Sequence, residues 1–432
     1  MASTAASRRF VPFEEARATV LARARLGPIE VVSLDDSLGR TLREEIVADE
    51  PIPGFRNSAM DGFAVRAADV AGATETAPVA LVVLETVAAG AVPTLPVGAG
   101  EATRIMTGAP VPEGADAVVP VERTAAGVAP AAGGARGAGA AGGILITRAV
   151  TAGENVRPVG EDVAIGERLL PVGIEIGAGE IAILAALGHS TVEVAREPRV
   201  AILSTGDELV QPGEPLRPGT IRDSNTHTLR AFVRAAGAGV GPCWHLADDP
   251  HAVPMAVRRA LSACDVVVTV GGISAGDFDV VRQSLAELGD VELWQVGMRP
   301  GQPQAFGEVE GRLFFCLPGN PVSSAVVFEM LVRPALWAML GRAQLERPRA
   351  RAVMAEAAGS KAGRRDFLRV RLEELGPGAP APYRARLTGS QSSGALSSIH
   401  KADGLAVIPE AWERVEVGQV VEVVMWKGGW GV

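Results

Sequence analysis

An unbroken β-branched run, Val266–Val270, ends in Gly271-Gly272-Ile-Ser274-Ala-Gly-Asp277-Phe-Asp279. Such a run reads as a strand buried on both faces, as in a parallel sheet. Glycines lack a Cβ, so the backbone there can turn sharply and approach a ligand. The Ser274 hydroxyl and the turn's N–H groups together suit an anion. Acids beside a phosphate-sized hollow repel the ligand unless a cation lies between them. Two readings stand side by side. One is a phosphate-plus-Mg²⁺ site at the carboxyl end of a strand. The other is a glycine-rich strand-to-helix turn with Asp279 as its N-cap. No Gly-Lys-Ser/Thr closes the stretch, which excludes a Walker A loop.

Three further stretches share this logic. Ser204-Thr205-Gly206-Asp207-Glu208 again follows a strand with a glycine turn and then acids. Asp223-Ser224-Asn225 stands at a helix start, where Ser224 or Asn225 reads first as an N-cap. In Leu317-Pro318-Gly319-Asn320-Pro321-Val-Ser323, Asn320 suits an N-cap and Pro321 the first helical position. Gly319 and the N–H groups of Val322–Ser324 also make an anion seat, assisted by the helix dipole. Four such loops in one sheet favour a highly phosphorylated ligand held with Mg²⁺. No Ser/His/Asp order and no His-Glu-x-x-His occurs. The five histidines (189, 227, 245, 251, 400) are scattered and read as structural or exposed.

The elements that must position these loops follow from the pattern. From Arg199 strands and helices alternate at parallel-sheet spacing. The strands are Val200–Leu203, Val240–Leu246, Val266–Val270, Val291–Met298 and Leu313–Cys316, and a long apolar helix runs to about Leu340. This is an open α/β domain over 198–341, and such folds bind ligands at strand carboxyl ends near a switch in strand order. Before it, 1–47 and 144–197 read as an α/β lobe with helices at Phe13–Leu26 and Gly179–Leu187. A small β domain over 48–143 is inserted in that lobe, with a flexible Ala/Gly/Pro stretch at 125–143. After it, 342–432 reads as an all-β domain. The inserted domain holds Asn57-Ser-Ala-Met-Asp61-Gly and Thr107-Gly108, which read first as turns and second as loops that hold Asp61 and Thr107 toward a ligand.

Composition sets the outer limits. The 432 residues are 47% apolar and 21% charged, as for a globular chain of about three domains. A net charge of −9 argues against nucleic acid as a partner. Only three lysines occur, so arginine supplies nearly all the positive charge. Cys243, Cys264 and Cys316 form no Cys-x-x-Cys, so neither a disulfide framework nor a thiolate zinc site is expected. The N-terminus does not read as a signal peptide, and no apolar run of about 18 residues is apparent. The expected location is the cytoplasm, with no membrane partner.

Five motifs, taken in order, carry a resemblance. They are Pro53-Gly-Phe-Arg-Asn-Ser-Ala-Met-Asp-Gly-Phe-Ala-Val-Arg66, Arg104-Ile-Met-Thr-Gly-Ala-Pro110, Ser204-Thr-Gly-Asp-Glu-Leu209, Gly271-Gly-Ile-Ser274 and Leu317-Pro-Gly-Asn-Pro-Val-Ser323. Together they resemble the MoeA family of molybdopterin molybdenumtransferases, similar to the E domain of gephyrin. The likeness covers nearly the whole chain apart from the Ala/Gly stretch. It implies an elongated four-domain homodimer that inserts molybdate into adenylylated molybdopterin and releases AMP with Mg²⁺. It implies Asp61, Thr107, Glu208, Asp248 and Asp279 as functional acids or positioning groups. The nucleotide loops would be Thr205, Gly206, Asp223, Ser224, Asn225, Gly271, Gly272, Ser274, Pro318, Gly319, Asn320 and Ser323. Asp207, Glu208 and Asp279 would be candidates for the metal. Asp61 and Thr107 would come from the partner subunit, making the site composite, and a molybdopterin adenylyltransferase would be a possible protein partner.

One departure stands out. The family's usual Lys-Pro-Gly-Lys-Pro loop is here Arg299-Pro-Gly-Gln302-Pro303, with Gln295 where another lysine is usual. Arginine keeps the charge, but an amide forms a weaker bond to an oxyanion than a charged donor does. Arg364 or Arg365 and the loop containing Ser397 match other family segments near the oxyanion, and the arginines are candidates to compensate. The departure leaves a rival reading, a non-catalytic or weakened molybdopterin-binding paralogue or scaffold. A third reading, adenylyltransferase, is opposed by the extra β domains and the full Asn-Ser-Ala-Met-Asp-Gly motif.

Overall fold

A computed structural model describes residues 9–127, 142–247, 249, 252–272 and 289–426. The chain divides into two compact units, one of residues 1–44, 172–181 and 190–432, the other of 45–171 and 182–189. The N-terminal strand Arg9–Val11 joins the central sheet of the first unit.

That sheet has seven strands in the order Arg9–Val11, Asp290–Val296, Pro303–Val309, Arg312–Leu317, Val266–Val270, Arg199–Thr205 and Gly239–Leu246. All run the same way except Pro303–Val309, which is antiparallel to both neighbours. From Arg199–Thr205 the chain moves outward to Gly239–Leu246 and returns to the other side at Val266–Val270. The strand order therefore switches between Arg199–Thr205 and Val266–Val270, where a ligand crevice is expected. Val266–Val270 is buried throughout, as its unbroken β-branched run requires. Pro303–Val309 was absent from the expected strands. Its Gln304, Gly307 and Glu308 interrupt the apolar pattern by which a buried strand is recognised. The expected strand Val291–Met298 breaks at Gly297, and Met298–Arg299 leaves to pair with Arg365–Glu374.

The long helix spans Pro321–Leu340 and is 20 residues long, with a mean hydropathy of 1.4. The expectation that no apolar run reaches about 18 residues is therefore corrected. Glu329, Arg333 and Pro334 hide the run when it is read along the chain. The helix is 89% buried inside the protein, so it is a core helix, packed under the sheet by Val322, Val326, Leu331 and Leu336. Its geometry widens to a π-turn over Phe328–Val332, just before Pro334, which has no N–H to donate.

In the C-terminal part of this unit, the strands Arg365–Glu374, Tyr383–Leu387, Arg349–Met354, Val420–Met425 and Gly404–Ile408 close into a barrel, since the last also pairs with the first. The expected all-β domain is present there. Met298–Arg299 adds to it in register, with Met298 opposite Arg365 and Arg299 opposite Asp366. The loop after the α/β strand is thus stitched to the barrel.

The second unit is built on a six-stranded sheet in the order Ala117–Pro120, Gly62–Val65, Glu101–Ile105, Val79–Val87, Gly143–Ile146 and Thr124–Gly127. Its core holds Phe63, Val65, Leu81, Val83, Val119 and Ile146. The last two strands pair Gly127 with Gly143, so ordered ladder reaches into both ends of the Ala/Gly stretch.

Candidate functional site

The three glycine loops meet at the switch in strand order. A Cβ on Gly271 would lie 2.8 Å from the Thr205 carbonyl oxygen, so only glycine permits this approach, and its φ of +99° also favours glycine. A Cβ on Gly319 would lie 3.5 Å from Gly271 Cα. Asn225 binds the helix start to this cluster, donating from Nδ2 to the Gly319 carbonyl at 2.7 Å and accepting from Ser324 Oγ at 3.3 Å. The buried Thr205 Oγ1 has no hydrogen-bond partner among the described residues. Such an orphan beside crowded backbone suits a ligand oxygen.

Other expectations at this cluster change. The N-cap of the helix Ser224–Ala235 is Asp223, not Ser224 or Asn225. Asp223 is buried and accepts from the Thr226 N–H at 3.0 Å, the Thr226 hydroxyl at 2.6 Å and Ser204 at 2.9 Å. Its oxygens therefore serve the chain itself. Asn320 occupies the N-cap position of the long helix but makes no side-chain cap bond. The anion seat there is partly filled, because Val322 N–H donates to the Ser393 carbonyl and Ser324 N–H to that of Asn320. Ser323 is buried beside it. Asp207 and Glu208 are exposed, and the Glu208 carboxylate leans over Gly206, whose φ is +138°. Among the described residues, no group of three or more His, Cys, Asp or Glu could hold a metal ion. Asp248, Ser274 and Asp279 lie outside the described residues, and Gly272 ends the described part of its loop.

A cavity of about 420 Å³ lies between the α/β sheet and the barrel. Arg299, Gln302, Pro318, Asn320, Ser323 and Arg364 line it, and so do Gln391, Ser392 and Ser393. Asp366 organises its cations. It is fully buried, 2.6 Å from Arg299 and 3.1 Å from Arg364, and accepts from Ser360 Oγ at 2.9 Å. Burial pushes its carboxyl above the ordinary aspartate range, against the pull of Arg299, Ser360 and Arg364. Arg369 lies behind the wall and is also fully buried. It donates to neutral acceptors, Ser398 Oγ and the carbonyls of Phe367 and Ser392. Burial, and then the nearby Arg299, lower its guanidinium to about 10. Arg299 and Arg364 thus share one carboxylate, Arg369 stands behind them on neutral acceptors, and the excess positive charge favours an anion in the cavity.

Arg365 pairs with Glu14 and Glu410 and covers the Phe13 ring, so it turns away from this wall. Gln295 stays in its strand opposite Phe10 and Pro303. Ser397 begins a short helix and is exposed, and its neighbour Ser398 is the buried partner of Arg369. Asp366, Arg369 and Gln391–Ser393 had not been singled out. An acid flanked by arginines and a Ser/Gly cluster at 389–394 were the available signals.

In the second unit, Asp61 and Thr107 form one feature. Asp61 Oδ1 accepts from both the Thr107 N–H and its hydroxyl at 2.7 Å. These bonds, with Arg104 nearby, hold the exposed Asp61 carboxyl below its ordinary range. Gly108 N–H donates to the Ser58 carbonyl at 2.8 Å, so the two distant motifs are joined on both sides.

Three known families cover the chain. Residues 11–188 match "MoeA N-terminal region (domain I and II)", residues 201–338 "Probable molybdopterin binding domain", and residues 351–426 "MoeA C-terminal region (domain IV)". Molybdopterin molybdenumtransferase 2 of Mycobacterium tuberculosis is 39% identical over 401 residues, covering 91% of this chain and 94% of that protein. Molybdopterin molybdenumtransferase of Bacillus subtilis is 34% identical over 418 residues, covering 96% and 94%. A solved structure of the molybdopterin biosynthesis MoeA protein from a Pyrococcus species superposes with a TM-score of 0.79 at 34% identity, covering 98% of this chain and 100% of that one.

Proposed function

We infer the reaction from one premise: this chain belongs to the MoeA family, the molybdopterin molybdenumtransferases of molybdenum cofactor biosynthesis. The proposed step is insertion of molybdate into adenylylated molybdopterin, with loss of AMP. The observation that carries it is the pairing of two anion sites. One is the Thr205/Gly271/Gly319 crevice with its orphaned hydroxyl, and the other is the cationic cavity lined by Arg299 and Arg364 and backed by the buried Arg369. The crevice suits the phosphates of the nucleotide and the cavity suits the oxyanion.

Mg²⁺ binds hard oxygen donors and typically takes one or two carboxylates plus substrate phosphates. Asp207 and Glu208, exposed beside the phosphate crevice, fit that donor set, with Asp279 as the third candidate. When bound, the cation would polarise the anhydride. The chain's own part is to seat phosphate against Gly206, Gly271 and Gly319 and to hold molybdate between fixed guanidiniums. We further propose a homodimer in which Asp61 and Thr107 complete the partner's site. Its cytoplasmic reaction would take its substrate from a molybdopterin adenylyltransferase.

Gln302 on the cavity wall favours the second reading, a weakened or non-catalytic pterin binder. Incubation with adenylylated molybdopterin, molybdate and Mg²⁺ separates the two. The first reading expects molybdenum cofactor and AMP in equal amounts. Binding of the nucleotide without AMP release would establish the second.

A further inference from the structure

Ser204 stands between Asp223 and His245 and hydrogen-bonds toward both. Its Oγ is 2.9 Å from Asp223 Oδ2 and 3.3 Å from His245 Nδ1. Ser204 and Asp223 are 1% and 2% exposed, whereas His245 is exposed. The parallel pairing of the strands sets Ser204 directly opposite His245.

Hydrogen-bond arithmetic then decides the histidine's state. A carboxylate accepts only, and Asp223 already accepts from the Thr226 N–H and hydroxyl as the cap of its helix. The single Ser204 hydroxyl proton is therefore given to Asp223. Ser204 can only accept from His245, so Nδ1 carries a proton. A neutral imidazole has one N–H, which leaves a lone pair on Nε2. This chain is anchored in the nucleotide crevice, because Thr205 follows Ser204 and Asn225 ties the same helix start to Gly319.

We propose that His245 is a further residue of the nucleotide site, whose Nε2 accepts a hydrogen bond from a neutral donor on the nucleoside. A lone pair repels phosphate oxygens but suits an amino or hydroxyl group, and adenosine carries both. The proposal deepens the reading given above and rests on it.

The test uses the full-length protein with ¹⁵N-labelled histidine. Nitrogen shifts report the tautomer of His245, and adenosine and AMP are then added separately. The expected result is an Nδ1–H ring whose Nε2 resonance moves with either ligand. The variant Ser204→Ala should release the ring toward the other tautomer. His245→Phe should bind adenosine roughly fivefold more weakly, the size of one lost neutral hydrogen bond, and His245→Gln should recover part of that. An Nε2–H ring in the native protein would overturn the inference without any variant. Calorimetric binding of AMP with an unmoved Nε2 would overturn it and leave the nucleotide site standing. Failure of the native protein to bind AMP would overturn both.

Discussion

Arg299 Nη2 lies 2.6 Å from Asp366 Oδ2, so the cation of the altered oxyanion loop is gripped by a fully buried carboxylate of the barrel. The same nitrogen donates to the Gly359 carbonyl at 3.0 Å. Asp366 also takes Arg364 at 3.1 Å. One acid thus fixes two arginines of the cavity wall, leaving other guanidinium donors for an oxyanion.

Asp366→Asn should therefore weaken molybdate use without unfolding the protein. Burial raises the Asp366 carboxyl above the ordinary value of 3.8, so the sign is that of a group that folds more favourably when protonated. Its contribution to stability is fully present below that ordinary value and is lost as pH rises through the raised one. Removing the charge should abolish this loss. Denaturation curves across pH should show the native protein losing stability relative to the variant as pH rises from acid. A molybdate titration of cofactor formation should require roughly tenfold more anion in the variant, the scale of a misplaced charged donor. Unchanged molybdate demand would remove Asp366 from the positioning role.

Gln302 is exposed on the same cavity and carries no charge. Gln302→Lys should lower the molybdate concentration for half-maximal insertion several-fold, since a charge-assisted bond adds on the order of 1 kcal/mol over a neutral one. Arg299→Gln should act in the opposite direction and more strongly. Nucleotide affinity should stay nearly constant in both, because the phosphate crevice is built by other loops. If neither variant shifts the titration, molybdate binds elsewhere.

Glu329 holds the long helix to the start of the barrel. Arg333 donates to it at 2.8 and 2.7 Å, and Arg347 at 2.7 Å. Burial pushes this carboxyl up, but the two arginines outweigh burial and hold it below the ordinary glutamate range. Its stabilisation is present above the ordinary value of 4.5 and is lost as pH falls through the lowered one. Glu329→Gln leaves two buried guanidiniums short of a counter-charge and should cost about 3–5 kcal/mol. Urea unfolding at neutral pH measures this, and the variant's acid limb should be flatter. A loss well under 1 kcal/mol would mean the arginines find other acceptors.

Val266–Val270 declared its strand because local composition and tertiary burial agree. Gly271 and Gly319 declared their loops because close backbone approach admits no side chain. Arg369 did not declare itself. Its spacing is that of any strand residue, and its isolation from carboxylates exists only after the barrel closes. Asp366 reads as one more acid in a charged turn until Arg299 is brought from 67 positions away. His245 is exposed, and its link to Ser204 exists only once parallel strands pair residues 41 positions apart. The strand Pro303–Val309 was hidden for a related reason, since Gln304 is buried with bonds to Gly301 and Met298 rather than exposed.

The last prediction concerns Asp61 and Thr107, which share two hydrogen bonds of 2.7 Å in the second unit. Asp61 is exposed, and its lowered pKa is owed first to the Thr107 N–H, so it remains a carboxylate at any working pH. Asp61→Asn keeps the shape of the loop but removes the charge. It should leave thermal stability nearly unchanged and abolish most AMP release. If the proposed dimer is composite, Asp61 of one subunit serves the nucleotide loops of the other. Mixing inactive Asp61→Ala protein with inactive Asp279→Ala protein then creates heterodimers with one intact site and one doubly damaged site. Random exchange makes about half of the dimers mixed, so activity should return to about a quarter of native. Mass spectrometry of the intact dimers verifies exchange. Verified heterodimers with no recovered AMP release would place both groups in a site closed within a single chain.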